Sequence, residues 1–265
     1  MMVAQPLPYD MGNAGDLLKH GILAEFTQWW CKTHSKSIRF IDPFGGRPWA
    51  EPPVPLVTDR VKSLRGFALF EAQPKPEMRY YGSGHIVRNA ARAVGQDADV
   101  LVSDQDTMAL QALIESGLSA LTYPGFDPIN GFSIVSTDIE ADLVLIDPYA
   151  KFLKDKAPQV IPQAAKASTR MAVVLFVLNL NPRNAVGQRY AALKSDHFPN
   201  AWTMHCPKLR STGVRGESNY EAEVLLSSSD LNTNPLAIGL RAKLEKYAQK
   251  LTEVLGTHIL FSAGA

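Results

Sequence analysis

The sequence predicts an α/β protein with a Rossmann-like, mostly parallel sheet and helices on both faces. Three observations lead there. First, the apolar runs at 142–146 and 171–178 are continuous rather than alternating, as strands covered on both faces require. Second, segments with helical spacing of their apolar residues lie between such runs. Third, an acid follows one strand-like segment after another, at Asp42, Asp104, Asp138 and Asp147. Doubly wound sheets bind ligands in the crevice beyond the carboxyl ends of their strands, so four acids in those places mark a candidate site.

Taken in order, the chain opens with Leu17, Leu18, Ile22, Leu23, Phe26, Trp29 and Trp30 at spacings of three and four. That stripe predicts an amphipathic helix within residues 14–34, with Trp29 and Trp30 as half-buried helix surface. Residues 38–41 form a short apolar strand that runs into the turn Asp42, Pro43, Phe44, Gly45, Gly46. A Pro-rich loop follows, and residues 58–72 fit helix and strand equally. A stretch near 48–82 reads as an insertion into a single domain spanning 1–265. Helices are expected at 83–94, 107–114, 184–193 and 236–255. Strands are expected at 100–103, 132–136, 142–146, 171–178, 201–205, 221–226 and 258–261. A polar loop containing Lys208, Arg210, Gly213, Arg215 and Gly216 joins the two late strands.

The chain has 265 residues, 46% of them hydrophobic and 20% charged, enough for a sizeable core. Its formal net charge of +1 excludes a global basic field, although a local basic patch stays compatible with it. Cys31 and Cys206 make neither a disulfide framework nor a CxxC site, which favours a reducing cytoplasm. No apolar run approaches the ~20 residues of a membrane span. The histidines show no metal-ligand spacing, so neither metal nor membrane is expected.

Asp147, Pro148 and Tyr149 are the first candidate for chemistry. The lone pair of an exocyclic amine on a nucleobase is delocalised into the ring. A carboxylate and a backbone carbonyl that accept its hydrogen bonds localise the pair, while an aromatic side chain stacks on the base. Asp147, the Pro148 carbonyl and Tyr149 are the groups to do so; a capped strand end with a Pro turn is the plainer reading. Gly45 lies in a turn whose amides can approach a cofactor, yet no GxGxxG is present. Asp104 stands where an acid accepts ribose hydroxyls, or caps a helix with Asp106 or Thr107. Asn13 or Asp16 caps the first helix, which puts Lys19 and His20 in its early turns.

Gly12, Asn13, Asp16, Leu18, Lys19 and His20 resemble the amino-terminal signature of the RlmJ group, adenine-N6 methyltransferases of large-subunit ribosomal RNA. Phe40-Ile41-Asp42, Arg79-Tyr80-Tyr81-Gly82-Ser83, Val102-Ser103-Asp104 and Leu145-Ile146-Asp147-Pro148-Tyr149 follow at matching intervals, so the resemblance covers residues 9–150. A looser plan is shared with the three-Cys-motif partner proteins. The resemblance implies the class I methyltransferase version of the fold and S-adenosylmethionine as cofactor. It also implies an adenine N6 in RNA or DNA as acceptor, and therefore nucleic acid, RNA above all, as substrate partner. By carry-over, Lys19, His20, Asp42, Gly45, Ser83, Asp104 and Asp138 lie at the cofactor, with Asp104 on the ribose and Asp138 toward the adenine. Asp147 becomes the acid that orients the acceptor.

Two departures stand out. Phe44 occupies the place of a family histidine and is followed by Gly45-Gly46-Arg47-Pro48 rather than a Gly-x-Gly pattern. The family's Asp-Pro-Pro-Tyr is here Asp-Pro-Tyr-Ala, which shifts the aromatic ring by one residue and leaves the stacking role open between Tyr149 and Phe152. Rival readings follow from that change: a methyltransferase of small molecules or peptides, or a non-catalytic partner protein on the same fold.

Overall fold

The computed structural model describes residues 11–51, 53, 55–104, 106–120, 140–148, 150–178, 185–213 and 216–264. Its first element is helix α1, Ala14–His34. Strand β1, Ile38–Asp42, follows, and then β2, Trp49–Ala50, α2, Pro55–Ser63, α3, Ala68–Glu71, and β3, Tyr80–Tyr81. After α4, Ser83–Arg92, come β4, Ala98–Val102, α5, Thr107–Glu115, β5, Ser119–Ala120, and β6, Leu143–Ile146. The carboxyl-terminal part contains α6, Ala150–Ser168, β7, Ala172–Leu178, α7, Ala185–His197, β8, Trp202–Gly213, and β9, Gly216–Ser227. It closes with α8, Ser229–Thr233, α9, Ala237–Leu255, and β10, Leu260–Ser262.

The main sheet has the order β10-β8-β9-β7-β6-β1-β4-β5. Strands β5, β4, β1, β6 and β7 are mutually parallel, whereas β9 runs antiparallel to β7, β8 to β9, and β10 to β8. From β1 the chain builds outward to β4 and β5, then returns to the other side of β1 with β6. The topological switch point therefore lies between β1 and β6, above Asp42 and Asp147. Alternate strand residues feed two cores: Phe40, Leu143 and Leu145 face one packed by α1, α4 and α9, and Ile41, Val144 and Ile146 face one packed by α6 and α7. Beside this sheet, β2 and β3 form a short antiparallel ribbon in which Trp49 pairs with Tyr81.

Several expectations change. Helix α1 is not a half-exposed amphipathic helix: every residue from Ala14 to Cys31 is buried, Trp29 and Trp30 included. Its polar residues survive burial because each has a partner. Glu25 accepts the Ala68 amide at 2.8 Å, Gln28 donates to Glu71 at 2.6 Å, and the Thr27 hydroxyl returns to the Leu23 carbonyl at 2.8 Å. The ambiguous stretch 58–72 is helical, divided between α2 and α3. Lys208 and Arg210 are not in a loop but on β8, because β8 and β9 continue as one long hairpin across an irregularity between Cys206 and Leu209. Helix α6 was missing from the sequence reading because Pro158 and Pro162 interrupt its pattern. The strand expected at 132–136 lies outside the described residues.

Candidate functional site at the strand carboxyl ends

The carboxyl end of β1 carries Asp42, which is almost fully buried. One of its oxygens accepts the Ser83 hydroxyl, and the other accepts the Phe44 amide at 2.9 Å. Ser83 is the first residue of α4, so this bond clamps the start of that helix to the end of β1. Burial pushes the Asp42 carboxyl up to about 7, against the pull of Ser83 and the Phe44 amide. Next door, the Gly45 amide donates to the Ser103 carbonyl at 2.8 Å, and a Cβ at Gly45 would stand 3.2 Å from Val102 Cβ. Glycine lets this turn lie close against β4, and its amide serves that contact.

Asp104, two residues beyond β4, ties the neighbouring turns together. Its carboxylate accepts the Gly46 amide at 2.9 Å and the Asp106 amide at 2.8 Å. The helix cap is a separate residue: Asp106 caps α5 by accepting the Met108 amide at 2.9 Å.

On the other side of the switch point, Asp147 follows β6 with a fifth of its side chain exposed. Lys19 of α1 reaches Oδ2 of Asp147 and also Oδ1 of Asp16, the latter at 2.7 Å. The Gly12 amide donates to Oδ2 of Asp16 at 2.8 Å, while Asn13 caps α1 through the amides of Gly15 and Asp16. The Lys19 ammonium also sits 5.1 Å from the centroid of the Phe176 ring on β7. Burial alone would lower the Lys19 pKa, but Asp147 and Asp16 overcome it and hold the ammonium well above its ordinary value. Burial raises the Asp147 carboxyl, and Lys19 opposes that rise. The result is a buried cation bracketed by two carboxylates, one of them open to the crevice.

Lys19 and His20 are neighbours on a helix, so their side chains diverge. His20 turns to Tyr80, with Nδ1 2.9 Å from the hydroxyl and the rings stacked at 5.8 Å. Burial takes its pKa down to about 3, with Lys19 adding to the fall and Asp16 opposing it, so the imidazole is neutral. Pro148 is buried beside Asp147. Tyr149 and Asp138 lie outside the described residues. Phe176 and Tyr80 were missed as partners because each lies far along the chain from the helix it meets. Among the described residues there is no cluster of three or more potential metal ligands, and no helix is long and apolar enough to cross a membrane.

Protein LPL1258 of Legionella pneumophila, described under the family model DUF519, overlays with a TM-score of 0.64 at 12% identity, covering 96% of this chain and 98% of that one. The overlay shows a shared fold, a Rossmann-like, mostly parallel sheet with helices on both faces. Looser overlays are found with the SAM-dependent methyltransferase of Agrobacterium tumefaciens, at 12% identity, 77% and 59% coverage and a TM-score of 0.42. TYW2 of P. horikoshii, solved with MeSAdo, gives 13% identity, 86% and 67% coverage and a TM-score of 0.40. No family model matches the chain, and no curated protein sequence matches it either.

Proposed function

We propose that the protein is an S-adenosylmethionine-dependent methyltransferase acting on nucleic acid, with an adenine N6 in RNA as the acceptor that its RlmJ-like motifs imply. The observation that carries this reading is the placement of Asp42, Asp104 and Asp147 around one topological switch point, where a doubly wound sheet receives its ligand. The donor set suits the cofactor. Asp104 stands just past the carboxyl end of β4, where a ribose is received in such sheets, and the Asp42–Ser83 clamp holds the amino end of α4 at the crevice. Lys19 lies beside them, whereas Gly45 and His20 act through the backbone turn and through Tyr80. The resemblance adds Asp138 as the adenine-side acid and Tyr149 or Phe152 as the stacking ring.

Bound S-adenosylmethionine supplies an electrophilic methyl group on a sulfonium. The residues of the chain do the rest. Lys19 holds Oδ2 of Asp147, which fixes the carboxylate and leaves Oδ1 for an acceptor N–H. With the Pro148 carbonyl on the second N–H, the amine lone pair turns toward the methyl group, and positioning contributes most of the rate. Burial of Asp147 strengthens it as an acceptor of the amine proton. The buried free thiols Cys31 and Cys206 fit a reducing, cytoplasmic setting.

Asp147→Ala is expected to abolish transfer of a labelled methyl group to RNA while leaving S-adenosylhomocysteine binding, measured by calorimetry, within about twofold of wild type. Full methylation by the variant would overturn the assignment. A small-molecule or peptide acceptor is separated by salt: only nucleic-acid binding weakens steeply as salt rises.

A further inference from the structure

Trp49 and Tyr81 face each other across the β2–β3 ribbon, with ring centroids 6.2 Å apart and edge to face. His85, in the first turn of α4, packs against both, 5.4 Å from Trp49 and 5.3 Å from Tyr81. The Arg79 guanidinium lies 4.6 Å from the Trp49 ring centroid and 6.0 Å from that of Tyr81. Neither large ring is fully buried, and Arg79 shares its charge with Glu51 at 3.2 Å. The cluster is fastened to the rim of the site, since Tyr81 is separated from Ser83 only by Gly82, whose amide donates to the Pro48 carbonyl at 2.8 Å.

Two further features point to a ligand. Nε2 of His85 is buried without a hydrogen-bond partner among the described residues, an arrangement that usually costs about 1–3 kcal/mol. The patch is also locally cationic although the chain is nearly neutral. Burial takes the His85 pKa down to about 4, and the nearby Arg88, Arg79 and Arg92 add to the fall. Stacking faces, cationic guanidinium groups and an unsatisfied ring nitrogen match a base, a phosphate and a polar base edge or ribose hydroxyl.

We propose that Trp49, Tyr81, His85 and Arg79 form a stacking site for a single-stranded RNA nucleotide flanking the methyl acceptor. This rests on the nucleic-acid reading given above. The base stacks on the ring of Trp49, with Tyr81 set edge to face beside it, Arg79 exchanges Glu51 for a phosphate, and Nε2 of His85 gains the partner it lacks.

The test measures binding of a fluorescein-labelled single-stranded RNA oligonucleotide by anisotropy, alongside S-adenosylhomocysteine calorimetry on the same proteins. Trp49→Ala is expected to weaken RNA binding about tenfold with cofactor affinity unchanged, and Trp49→Phe to retain most of the affinity. Arg79→Gln lowers the salt slope by roughly one phosphate contact. RNA binding equal to wild type in Trp49→Ala, or in Arg79→Gln with an unaltered slope, overturns the stacking site. So does a wild-type protein that binds S-adenosylhomocysteine but no RNA, an outcome that leaves the methyltransferase reading standing. Failure of the wild type to bind S-adenosylhomocysteine sinks that reading instead, and the RNA arm still decides this one.

Discussion

Asp42 is nearly out of water, and the two hydrogen bonds that its carboxylate accepts among the described residues do not offset what burial takes from its charged form. Its carboxyl therefore moves from an ordinary 3.8 to about 7. Between those values the folded chain binds a proton that the unfolded chain has released, so stability falls as pH rises. The contribution of Asp42 is fully present below the lower value and lost as pH passes the upper one. Asp42→Asn is expected to remove this slope, gaining stability on the order of 2 kcal/mol over wild type at about pH 8 and little at about pH 4. Urea midpoints across that range check it; a variant that tracks wild type at every pH would show that Asp42 titrates normally. The strand-end acids were legible because a carboxylate after an apolar run is a local pattern. The pairing of Lys19 with Asp147 was not, since it joins residues 128 apart, and only the resemblance brought the two into one site.

At the scale of elements, α1 crosses α9 so closely that Gly21 has no room for a side chain. A Cβ there would lie 2.1 Å from Tyr247 Cε1 and Cζ and 2.2 Å from its hydroxyl, which donates to the Leu17 carbonyl at 2.7 Å. Helix propensity alone favours alanine over glycine by ~1 kcal/mol. Overpacking is expected to win, with Gly21→Ala losing about 2 kcal/mol in urea unfolding. In a Tyr247→Ala background the same change should become neutral or stabilising; equal losses in both backgrounds would refute the contact as the cause. Helical spacing located α1 but understated its burial, because partners on every side make an amphipathic stripe unnecessary. The two prolines hid α6, and β2 and β3 are too short to carry any periodic signal.

For the whole molecule, one sheet feeds both cores, so neither face can melt while the other keeps its strands. Far-UV circular dichroism, which reports helices on both faces, and fluorescence from Trp29, Trp30, Trp49 and Trp202, all in or beside the α1 core, are expected to give one coincident urea transition. Separate midpoints would mean that the faces unfold independently. Continuous apolar runs revealed the parallel centre of this sheet, whereas its order depends on contacts that no local pattern contains. Helix α1 packs on β7, β8, β9 and α9, all of which come later in the chain. Tyr247 follows Leu17 by 230 residues, which at roughly 5–20 residues per second is about 10–50 s of translation. During that interval α1 can dock on β1, α3 and α4, which are made first, while the face that it later turns to Tyr247 stays uncovered.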